Sequence, residues 1–467
     1  MGVQENQSKK TVSKQQELTI QQRRQKAWGL GSDDRVAVKN RIGIRQHQKH
    51  GLVAGHPFAR AVGLDRWLIH KMLAYAGNPP LSICLWDGRE VTACDEPVAK
   101  LTIHDRAALL KLIVDPELHF GDLYSSGRVE VTGDFVRFLQ VVYSSMRETD
   151  KTSLLRHFII WWGHRRIANS LSKARDNIYH HYDIGNAFYD MWLDKEVMQY
   201  TCAYFYDPNI SLEAAQVAKL HHVCRKLQLK PGDTVVEAGC GWGGLARFMA
   251  KHYGVKVKAY NISHEQVKHA RQKAKGEGLS EQVEYVEDEY RNIEGKFDVF
   301  VSVGMLEHVG TRDYKVLGDV INRCLKPDGR ALIHSIGRNK AGHMNAWIER
   351  RIFPGAYPPT LREMMDIFEP NRFSVLDVEN LRLHYSKTLE HWLQRYEQQV
   401  DAVTEMMDTA FVRAWRLYLA GSVAAFTIGE LQLFQVVFTR ANNNQLPWSR
   451  ACLYREEISA SEKHEAS

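Results

Sequence analysis

A glycine-rich turn at residues 237–244 constrains the fold of this chain more than any other feature of its sequence. It reads Glu-Ala-Gly-Cys-Gly-Trp-Gly-Gly and follows a short apolar strand predicted at 234–238. A helix is predicted to begin directly after it, at Leu245. Glycines at such a point allow a tight turn and let the backbone approach a ligand closely. The pattern therefore predicts an α/β sheet with a nucleotide-like ligand at the carboxyl end of this strand.

The residues around the turn indicate the class of ligand. The turn lacks the G-x-G-x-x-G spacing, and no acidic residue follows the next strand where dinucleotide-binding folds place one. That strand ends instead at Asn261-Ile262-Ser263. The form Glu-x-Gly-x-Gly favours S-adenosylmethionine over NAD. Glu237 would hold the ligand from the strand, and backbone amides with Asn261 would reach its ribose side. The alternative is a tight turn that binds no ligand.

Strands and helices alternate from about residue 176, which predicts a parallel sheet covered by helices on both faces. Ser211 is predicted to cap a helix that runs to Leu229. Further strands are predicted after the first one, at 255–260, 283–286, 297–303 and 330–336. The pattern changes near the end, where a helix at 413–426 precedes a strand at 431–438.

A smaller unit precedes this region, at residues 51–146. Its predicted elements are helices at 60–75, 105–113 and 134–143, a hairpin at 81–91 and an extended segment that reaches residue 131. These elements predict a small α+β module. It has no recognisable set of acids, bases and nucleophiles, so we expect it to bind or position a partner rather than to catalyse.

The positive charge of the chain is concentrated in two segments. The net charge is +7, and residues 1–50, predicted to be disordered, hold 11 Lys/Arg against 4 Asp/Glu. A basic linker at 147–175 holds 7 Lys/Arg against 2 Asp/Glu and surrounds the apolar run 158–162. Cations beside aromatic and aliphatic groups suit an anionic lipid surface. Nucleic acid is a competing partner for such a patch, and a solvated tail with an ordinary amphipathic helix is the third interpretation.

The remaining composition bears on the compartment. No run of about 18 apolar residues is present, so no membrane span is expected, and the polar beginning of the chain has no signal-peptide core. The seven cysteines are odd in number and form no C-x-x-C pair. This spacing argues against a disulfide framework or a structural zinc site, and it favours a reducing cytoplasm. Residues 442–467 are polar and are expected to form a loose tail.

Three further motifs carry candidate chemistry. Glu307 and His308 follow the fourth strand of the predicted sheet, where doubly wound folds place reactive groups, and either a base or a helix cap fits them. His334 lies in an apolar strand, where a histidine is more often a core residue than a ligand. Cys202 is flanked by aromatic residues, which fit either an ordinary core or a cavity that tolerates a cation. Composition alone does not choose between these alternatives.

Taken together, these motifs resemble the cyclopropane-fatty-acyl-phospholipid synthase family. The resemblance is dense over residues 175–440 and loose over 57–145. The segments that carry it are His180 to Asn186, Tyr200 to Phe205, Gly239 to Gly244, Ser302 to Gly310 and Leu431 to Phe438.

The resemblance implies a fold and a reaction. The fold would be the Rossmann-like doubly wound sheet of class I methyltransferases with an antiparallel final strand, next to a smaller N-terminal α+β domain, and the methyltransferase domain would span 176–441. Members of the family move the methyl group of S-adenosylmethionine to the double bond of an acyl chain in a membrane phospholipid. The carbocation that forms loses a proton to a bound bicarbonate, and a cyclopropane ring closes.

Residue roles follow from the same resemblance. The bicarbonate site would consist of Cys202, Glu307, His334, the backbone of Ile336, and Tyr385. The cofactor contacts would be Tyr200, Thr201, Val235, Glu237, Gly239, Gly241, Gly243, Asn261, Ile262, Ser263, Gln266, Glu289 and Tyr290. No metal is expected.

Several positions depart from the family pattern. Glu237 and Glu289 stand where aspartate is common, Asn261 stands where threonine is common, and Ser422 aligns with a cysteine once assigned as a nucleophile. Relatives on the same frame give methylene, methyl-branched or hydroxylated chains, so the product stays open. A methyltransferase acting on a small amine or hydroxyl and a lipid-binding protein with a degenerate domain are the alternatives.

The expected surroundings complete these predictions. An enzyme that acts on a bilayer lipid without a membrane span must dock on the surface, so we expect a cytoplasmic protein peripheral to the inner face of the membrane. The N-terminal module would handle lipid and the basic linker would contact anionic headgroups. No nucleic acid is expected as a partner, and a homodimer is kept open.

Overall fold

The computed structural model describes residues 60–149 and 184–453. The basic tail predicted at 1–50, the basic linker beyond residue 149 and the polar residues after 453 lie outside the described ranges. Of the described helices, none is long and apolar enough to cross a membrane.

The N-terminal module is a small α+β unit, as predicted. Its helices are α1 (Gly63–Tyr75), α2 (Arg106–Val114), α3 (Pro116–Ser125) and α4 (Phe135–Thr149). Its strands are β1 (Leu81–Cys84), β2 (Glu90–Thr92), β3 (Ala99–Ile103) and β4 (Val129–Gly133). They form a four-stranded sheet in the order β2-β1-β3-β4.

Helix α3 corrects the prediction that the chain is extended up to residue 131. Asp115 caps this helix by accepting a hydrogen bond from the backbone N–H of Leu118 at 3.1 Å. Pro116 occupies its first position, where a proline costs no hydrogen bond and its fixed φ suits a helix. The local capping signals therefore outweigh the mixed composition of the segment.

The second domain contains seven strands and the helices that cover them. The strands are β5 (Thr234–Ala238), β6 (Lys256–Asn261), β7 (Val283–Glu287), β8 (Phe297–Val303), β9 (Leu325–Gly337), β10 (Phe373–Asn380) and β11 (Gln432–Arg440). The helices are α5 (Asn186–Asp190), α6 (Leu212–Lys226), α7 (Gly244–Tyr253), α8 (His264–Gly276), α9 (Tyr314–Cys324), α10 (Leu361–Phe368), α11 (Arg382–Glu397), α12 (Val400–Met406) and α13 (Thr409–Ile428).

The seven strands form one doubly wound sheet in the order β10-β11-β9-β8-β5-β6-β7. Strands β5, β6, β7, β8 and β9 pair in parallel, whereas β11 is antiparallel to both of its neighbours. The predicted fold class, including the antiparallel final strand, is confirmed. The chain leaves β5 toward β6 and later returns to its other side with β8. Doubly wound sheets bind ligands at such a reversal of strand order.

The strands are apolar because helices cover both faces of the sheet. Nearly every residue of β8 and β11 is buried, and separate apolar clusters pack on the two faces. Ser211 caps α6 as predicted, by accepting from the N–H of Ala214 at 3.1 Å, although the helix ends at Lys226.

The two domains share a packed interface on helix α13. Arg413 of this helix donates to the carbonyl oxygens of Tyr124 at 2.5 Å and Val129 at 3.1 Å. Arg351 and Asp122 form a two-bond ion pair, with nitrogen–oxygen distances of 3.0 and 2.9 Å. One apolar cluster contains residues of both domains. The N-terminal module therefore lies directly against the second domain.

The described part of the predicted loose tail is folded onto the sheet, which corrects that prediction for residues 442–453. The side-chain amide of Asn443 is buried and donates to the carbonyl oxygen of Asp328 at 3.1 Å. At the end of this segment, the carbonyl oxygen of Leu453 accepts from the guanidinium of Arg225 at 3.2 Å. These two bonds attach the segment to β9 and to α6.

Candidate active site

A cleft lies at the carboxyl ends of β5 and β8, where the strand order reverses. It is bordered by the segment before α6, the glycine-rich turn, the end of β6 and the turn after β8. The residues that line it are Met198, Gln199, Tyr200, Thr201, Glu237, Gly239, Cys240, Gly241, Trp242, Leu245, Asn261, Gln266, Val303, Gly304, Met305 and His308.

The glycine-rich turn presents open backbone to this cleft. The N–H groups of Gly239 and Cys240 both donate to the carbonyl oxygen of Tyr260, at 2.9 and 3.1 Å, and this fixes the turn to β6. A Cβ added at Gly239 would lie 2.9 Å from Met305, and one added at Gly243 would lie 2.5 Å from Tyr285. A Cβ added at Gly241 would meet no atom within 4 Å. Gly241 therefore borders space that a ligand can fill.

Glu237 supplies a buried carboxylate at the end of β5. The residue is 2% exposed, and its Oε2 atom has no hydrogen-bond partner among the described residues. Burial raises the pKa of this carboxyl to about 8, although the charges of Lys219 and Arg247 lower it. A buried acceptor without a donor is costly. An ammonium or hydroxyl group of a ligand in the cleft fits this position.

The end of β6 forms the opposite border of the cleft. The side-chain amide of Asn261 donates to the carbonyl oxygen of Gly241 at 3.1 Å and to Gln266 Oε1 at 2.9 Å. Ser263 caps α8 and is buried, as is Ile262. The amide of Asn261 thus joins the glycine turn to α8, and Gln266 faces the cleft beside it.

Tyr200 and Thr201 form the wall before α6. The hydroxyl of Tyr200 lies 2.8 Å from the hydroxyl of Tyr418 on α13. The hydroxyl oxygen of Thr201 accepts a hydrogen bond from Lys219 Nζ at 3.0 Å, and Gln199 Oε1 accepts from the same nitrogen at 2.5 Å. Sequence reasoning missed Gln199 and Lys219, because nothing in the pattern of α6 distinguishes this lysine from a solvated one.

Six of the predicted cofactor contacts lie outside the lining of the cleft: Val235, Gly243, Ile262, Ser263, Glu289 and Tyr290. Val235 is fully buried in the apolar core, where it pairs with β6 and β8, so its side chain does not line the cleft and its contact with the cofactor stays a prediction. The carboxylate of Glu289 is bonded to Arg291, both to its guanidinium and to its backbone N–H. The guanidinium of Arg291 also covers the ring of Tyr290 at 4.8 Å. These ion-pair and ring contacts hold the segment after β7 at the edge of the site.

Glu307 lies in a single helical turn, Leu306–His308, directly after β8. Its Oε1 atom accepts from the backbone N–H of Ile336 on β9 at 2.6 Å, and its Oε2 atom has no hydrogen-bond partner among the described residues. Burial raises the pKa of this carboxyl to about 7, although the bond from Ile336 lowers it. The predicted pair of Glu307 and the Ile336 backbone is therefore brought together, through a direct bond.

His334 stands two residues before Ile336 on the same face of β9. Its Nδ1 atom lies 3.0 Å from Nε2 of Gln435, its register partner on β11, and its Nε2 atom has no partner among the described residues. Burial lowers the pKa of this imidazole to about 3. His334 is consequently neutral at physiological pH. With Gln435 donating to Nδ1, the ring proton resides on Nε2 and is available to an acceptor.

Cys202 and Tyr385 are brought to the same end of the sheet. Cys202 Sγ lies 3.9 Å from the carbonyl oxygen of Leu381, which also accepts from the N–H of Tyr385 at 3.1 Å. The N–H of Leu381 in turn donates to Leu433, the register partner of Ile336. Backbone hydrogen bonds thus connect the segment that carries Cys202 and Tyr385 to the end of β9 that carries His334, and the convergence of the four side chains on one ion stays a prediction. Burial raises the pKa of the Cys202 thiol far above its ordinary value, so it is a neutral group and not a thiolate nucleophile.

Aromatic rings close the wall behind Tyr200. Ring centroids of Tyr189, Trp192 and Trp392 lie 5.2–5.4 Å from that of Tyr200. Trp242 of the glycine turn lies 5.0 Å from Tyr189. Aromatic faces attract cations and exclude water. Of these rings, Tyr200 and Trp242 line the cleft together with Glu237, and the others pack behind them.

Comparison with known proteins identifies relatives over most of the chain. The family model for mycolic acid cyclopropane synthetase matches residues 169–436, and a domain of unknown function (DUF7884) matches residues 68–153. A probable fatty acid methyltransferase of Pseudomonas putida is 35% identical over 389 residues, which cover 80% of this chain and 96% of that protein. The cyclopropane-fatty-acyl-phospholipid synthase of Escherichia coli K12 is 41% identical over 288 residues, which cover 61% of this chain and 74% of that protein.

Solved structures of cyclopropane synthases also align with the chain. The cyclopropane synthase MmaA2 from Mycobacterium tuberculosis aligns with a TM-score of 0.55 and 25% identity, over 58% of this chain and 100% of that one. The mycolic acid cyclopropane synthase CmaA1, complexed with SAH and CTAB, aligns with a TM-score of 0.54 and 27% identity, over 57% of this chain and 98% of that one.

Proposed function

The chain belongs to the mycolic acid cyclopropane synthetase family, and from this membership we propose that it transfers the methyl group of S-adenosylmethionine to the double bond of an unsaturated phospholipid acyl chain and closes a cyclopropane ring. One observation supports the proposal most strongly. Glu307 and His334 each carry an unpartnered buried polar atom at the strand ends next to the glycine-lined cleft.

The residues of the cleft fit S-adenosylmethionine. Its amino-acid end would meet the unpartnered oxygen of Glu237 and the hydroxyl of Thr201, and its nucleoside would lie along Gly241 toward Asn261 and Gln266. When bound, the cofactor supplies an electrophilic methyl group. The chain's own contribution is to hold that group in line with the acyl double bond, since an alkene is a weak nucleophile and needs close positioning without water.

The aromatic wall would stabilise the positive charge that develops on the acyl chain. Tyr189, Trp192, Tyr200 and Trp392 form a contiguous set of rings, and the faces of such rings attract cations. Cys202 would not compete for this charge as a thiolate, because burial keeps it a neutral thiol. The wall would also exclude water, which would otherwise trap the cation as an alcohol.

The four side chains at the ends of β9 and β11 would hold a bicarbonate ion as the base. Neutral His334 would donate through Nε2–H, and Tyr385 would add a further donor. The Cys202 thiol would donate only after turning away from the carbonyl oxygens of Ala203 and Leu381, which it faces in the structure at 3.1 and 3.9 Å. Glu307, with a pKa of about 7, would when ionised accept a hydrogen bond from the O–H group of bicarbonate and would thereby orient the anion. Ile336 would act indirectly, because its N–H holds Glu307 in place.

The lipid must reach this site from a membrane surface. Exposed apolar side chains lie on α1 and α2 of the N-terminal module, among them Leu64, Trp67 and Val114, and they support a lipid-handling role for it. The basic linker beyond residue 149 would contact anionic headgroups. Neutralising Arg156, Arg165 and Arg166 should weaken co-sedimentation with vesicles that contain phosphatidylglycerol. Unchanged co-sedimentation would remove the membrane role of the linker.

The deciding experiment is mass spectrometry of membrane fatty acids from cells that express the chain. A cyclopropane adds the mass of one CH2 group to an unsaturated acyl chain and resists mild hydrogenation of alkenes. A methylene branch adds the same mass but is reduced. Methyl label found in water-soluble products instead of lipid would contradict the proposal and favour a small-molecule methyltransferase.

A methyl-branched or methylene fatty acid is the second candidate product. It is favoured by the identity with a protein named as a probable fatty acid methyltransferase, which extends over 96% of that protein. The same mass spectrometry separates the two candidates, because fragmentation of the acyl chain locates a branch.

A further inference from the structure

Lys219 is a buried cation that the proposed reaction does not use. It lies on α6 and is fully buried. Its Nζ atom donates to Gln199 Oε1 at 2.5 Å and to Thr201 Oγ1 at 3.0 Å, and both of these residues line the cleft. Burying an ammonium group is expensive unless it is paired and hydrogen-bonded. Because Lys219 lies directly behind the cleft wall, we expect it to act on the residues of that wall.

Two buried carboxylates accompany this lysine. Asp194 is 2% exposed and accepts hydrogen bonds from the backbone N–H groups of Val197, Met198 and Gln199, at 2.7, 3.0 and 2.7 Å. It thereby shapes the segment that carries the cleft wall. The charges of Asp194 and Glu237 both act on Lys219, and they offset part of the burial that lowers the pKa of its ammonium group to about 8. Lys219 is therefore charged at neutral pH.

The lysine fixes the direction of the hydrogen bonds at the wall. An ammonium group can only donate, so Thr201 Oγ1 must accept from it, and the hydroxyl proton of Thr201 is left for another acceptor. The carbonyl oxygen of the Gln199 side chain also faces Lys219, while its amide nitrogen donates to the carbonyl oxygen of Val197 at 3.3 Å. The wall consequently presents the hydroxyl of Thr201 as a hydrogen-bond donor next to the positive charge of Lys219. The unpartnered Oε2 atom of Glu237 presents an acceptor.

Such a pair of opposite groups matches an amino-acid zwitterion. The carboxylate of the methionine part is the one anionic group of S-adenosylmethionine, and its ammonium group suits Glu237. We propose that Lys219 is a positioning residue that orients Thr201 and Gln199 and thereby fixes the carboxylate of bound S-adenosylmethionine. This inference rests on the proposed function, since it needs the cofactor in this cleft.

Calorimetric titration with two ligands tests the inference. S-adenosylmethionine carries the carboxylate, and decarboxylated S-adenosylmethionine lacks it but keeps the ammonium and sulfonium groups. Lys219→Met should weaken binding of the first by about 10- to 100-fold, the range expected for a charge-assisted hydrogen bond. It should leave binding of the second within about threefold. Lys219→Arg should retain part of the preference for the carboxylate-bearing ligand.

Lys226→Met is the matched control. Lys226 is a buried lysine two turns further along α6, and it pairs with Glu379 at 2.6 Å instead of with the cleft. Its loss should not change the ratio of the two affinities. If either lysine variant fails to fold, Thr201→Val provides a second route, because it removes the hydroxyl through which Lys219 acts. It should also lower the ratio.

The outcomes separate this inference from the proposed function. If the wild-type chain binds neither ligand, the proposed function fails. If it binds both, and Lys219→Met or Thr201→Val weakens both equally, Lys219 has only a structural role and the positioning inference is overturned. Losses that are not additive in the double variant would support action of Lys219 through Thr201.

Discussion

The carboxylate of Glu307 and the backbone N–H of Ile336 are joined by a hydrogen bond of 2.6 Å between Oε1 and the nitrogen. This bond ties the turn after β8 to the end of β9, two residues beyond His334. It uses one oxygen of Glu307 and leaves the other, Oε2, without a partner among the described residues. The same residue thus holds the site together and offers an acceptor to it.

We predict that Glu307→Gln lowers turnover by about 100-fold or more, the scale of a lost acid–base group. A glutamine oxygen can still accept from Ile336, so the fold of the turn should persist, but the charge that orients the anion is lost. Affinity for S-adenosylhomocysteine should change by less than about threefold. The measurements are methyl incorporation into phospholipid and calorimetry. Equal losses of turnover and affinity would contradict the assigned role.

The pKa of Glu307 also predicts a pH dependence of stability. Its carboxyl has a pKa of about 7 in the folded chain, against an ordinary value of 4.5, so the folded state binds the proton more tightly than the unfolded state. The protonated carboxyl of Glu307 therefore makes its full contribution to the free energy of unfolding below about pH 4.5, and this contribution is lost as pH rises to about 7. Glu307→Gln should gain about 3 kcal/mol relative to wild type across this range.

Urea unfolding at the two ends of this range measures the effect. Glu284→Gln, at an exposed position on β7, should show no such pH-dependent gain. A constant difference between Glu307→Gln and wild type at both pH values would show that burial does not raise the pKa of Glu307.

Gly241→Val should abolish binding of S-adenosylmethionine without unfolding the chain. The φ of Gly241 is +53°, and an added side chain would enter open space at the cleft instead of striking protein atoms. Gly88→Val is the control, because Gly88 has a φ of +82° and equally open surroundings in the hairpin of the N-terminal module. Both variants should lose about 1–2 kcal/mol from backbone strain. Retained cofactor binding by Gly241→Val would place the cofactor elsewhere.

Gln435→Met should reduce turnover by about tenfold while the KM for S-adenosylmethionine stays unchanged. The amide of Gln435 donates to Nδ1 of His334 and so keeps the ring proton on Nε2, and methionine has no donor to do so. Gln432→Met is a matched control on the same strand, since the amide of Gln432 contacts Asn380 and Gly429 instead of the histidine. Equal effects of the two variants would argue for a general loss of sheet stability.

Gly121→Ala should weaken the contact between the two domains. A Cβ at this position would lie 2.4 Å from the ring of Trp347, so the ring or the helix must move, and overpacking of this kind costs about 1–3 kcal/mol. Gly63→Ala is the control, because its added Cβ meets no atom within 4 Å. Calorimetric unfolding should show a lower or split transition for Gly121→Ala alone. A single unchanged transition would mean that the interface adapts freely.

Much of the fold is predictable from sequence because each parallel strand is a short apolar run between helices. Strand β8 begins and ends where the apolar run does, and the glycine turn marks the reversal of strand order. Strand β10 was not predicted. Its sequence includes Asp377 and Glu379, whose charges are neutralised by Lys226 from α6, and pairing with such a distant cation leaves no local pattern.

The residues of the candidate site also fall into those whose position is predictable from sequence and those whose position is not. The glycine turn, Asn261 and Glu307 lie at or shortly after the carboxyl ends of β5, β6 and β8, so the topology alone brings them to one edge of the sheet. Lys219 reaches the cleft only because Thr201, 18 residues earlier, folds back over α6. Val235 lies two residues earlier on β5 than Glu237, farther from the carboxyl end of the strand, and it packs in the apolar core. Local sequence patterns do not predict the position of a side chain that depends on a folded-back segment or on how far along a strand the residue lies.

Helix α13 gives the molecule a mechanical link between its two ends. Arg413 on this helix donates to two carbonyl oxygens of the N-terminal module, and the hydroxyl of Tyr418, five residues later, is hydrogen-bonded to the hydroxyl of Tyr200 in the wall of the cleft. One short helical segment therefore connects the module to the cleft. If the N-terminal module docks on a lipid surface, as we propose, a displacement of the module would reach the hydroxyl of Tyr200 through about a turn and a half of helix, so docking and the position of the cleft wall would be coupled.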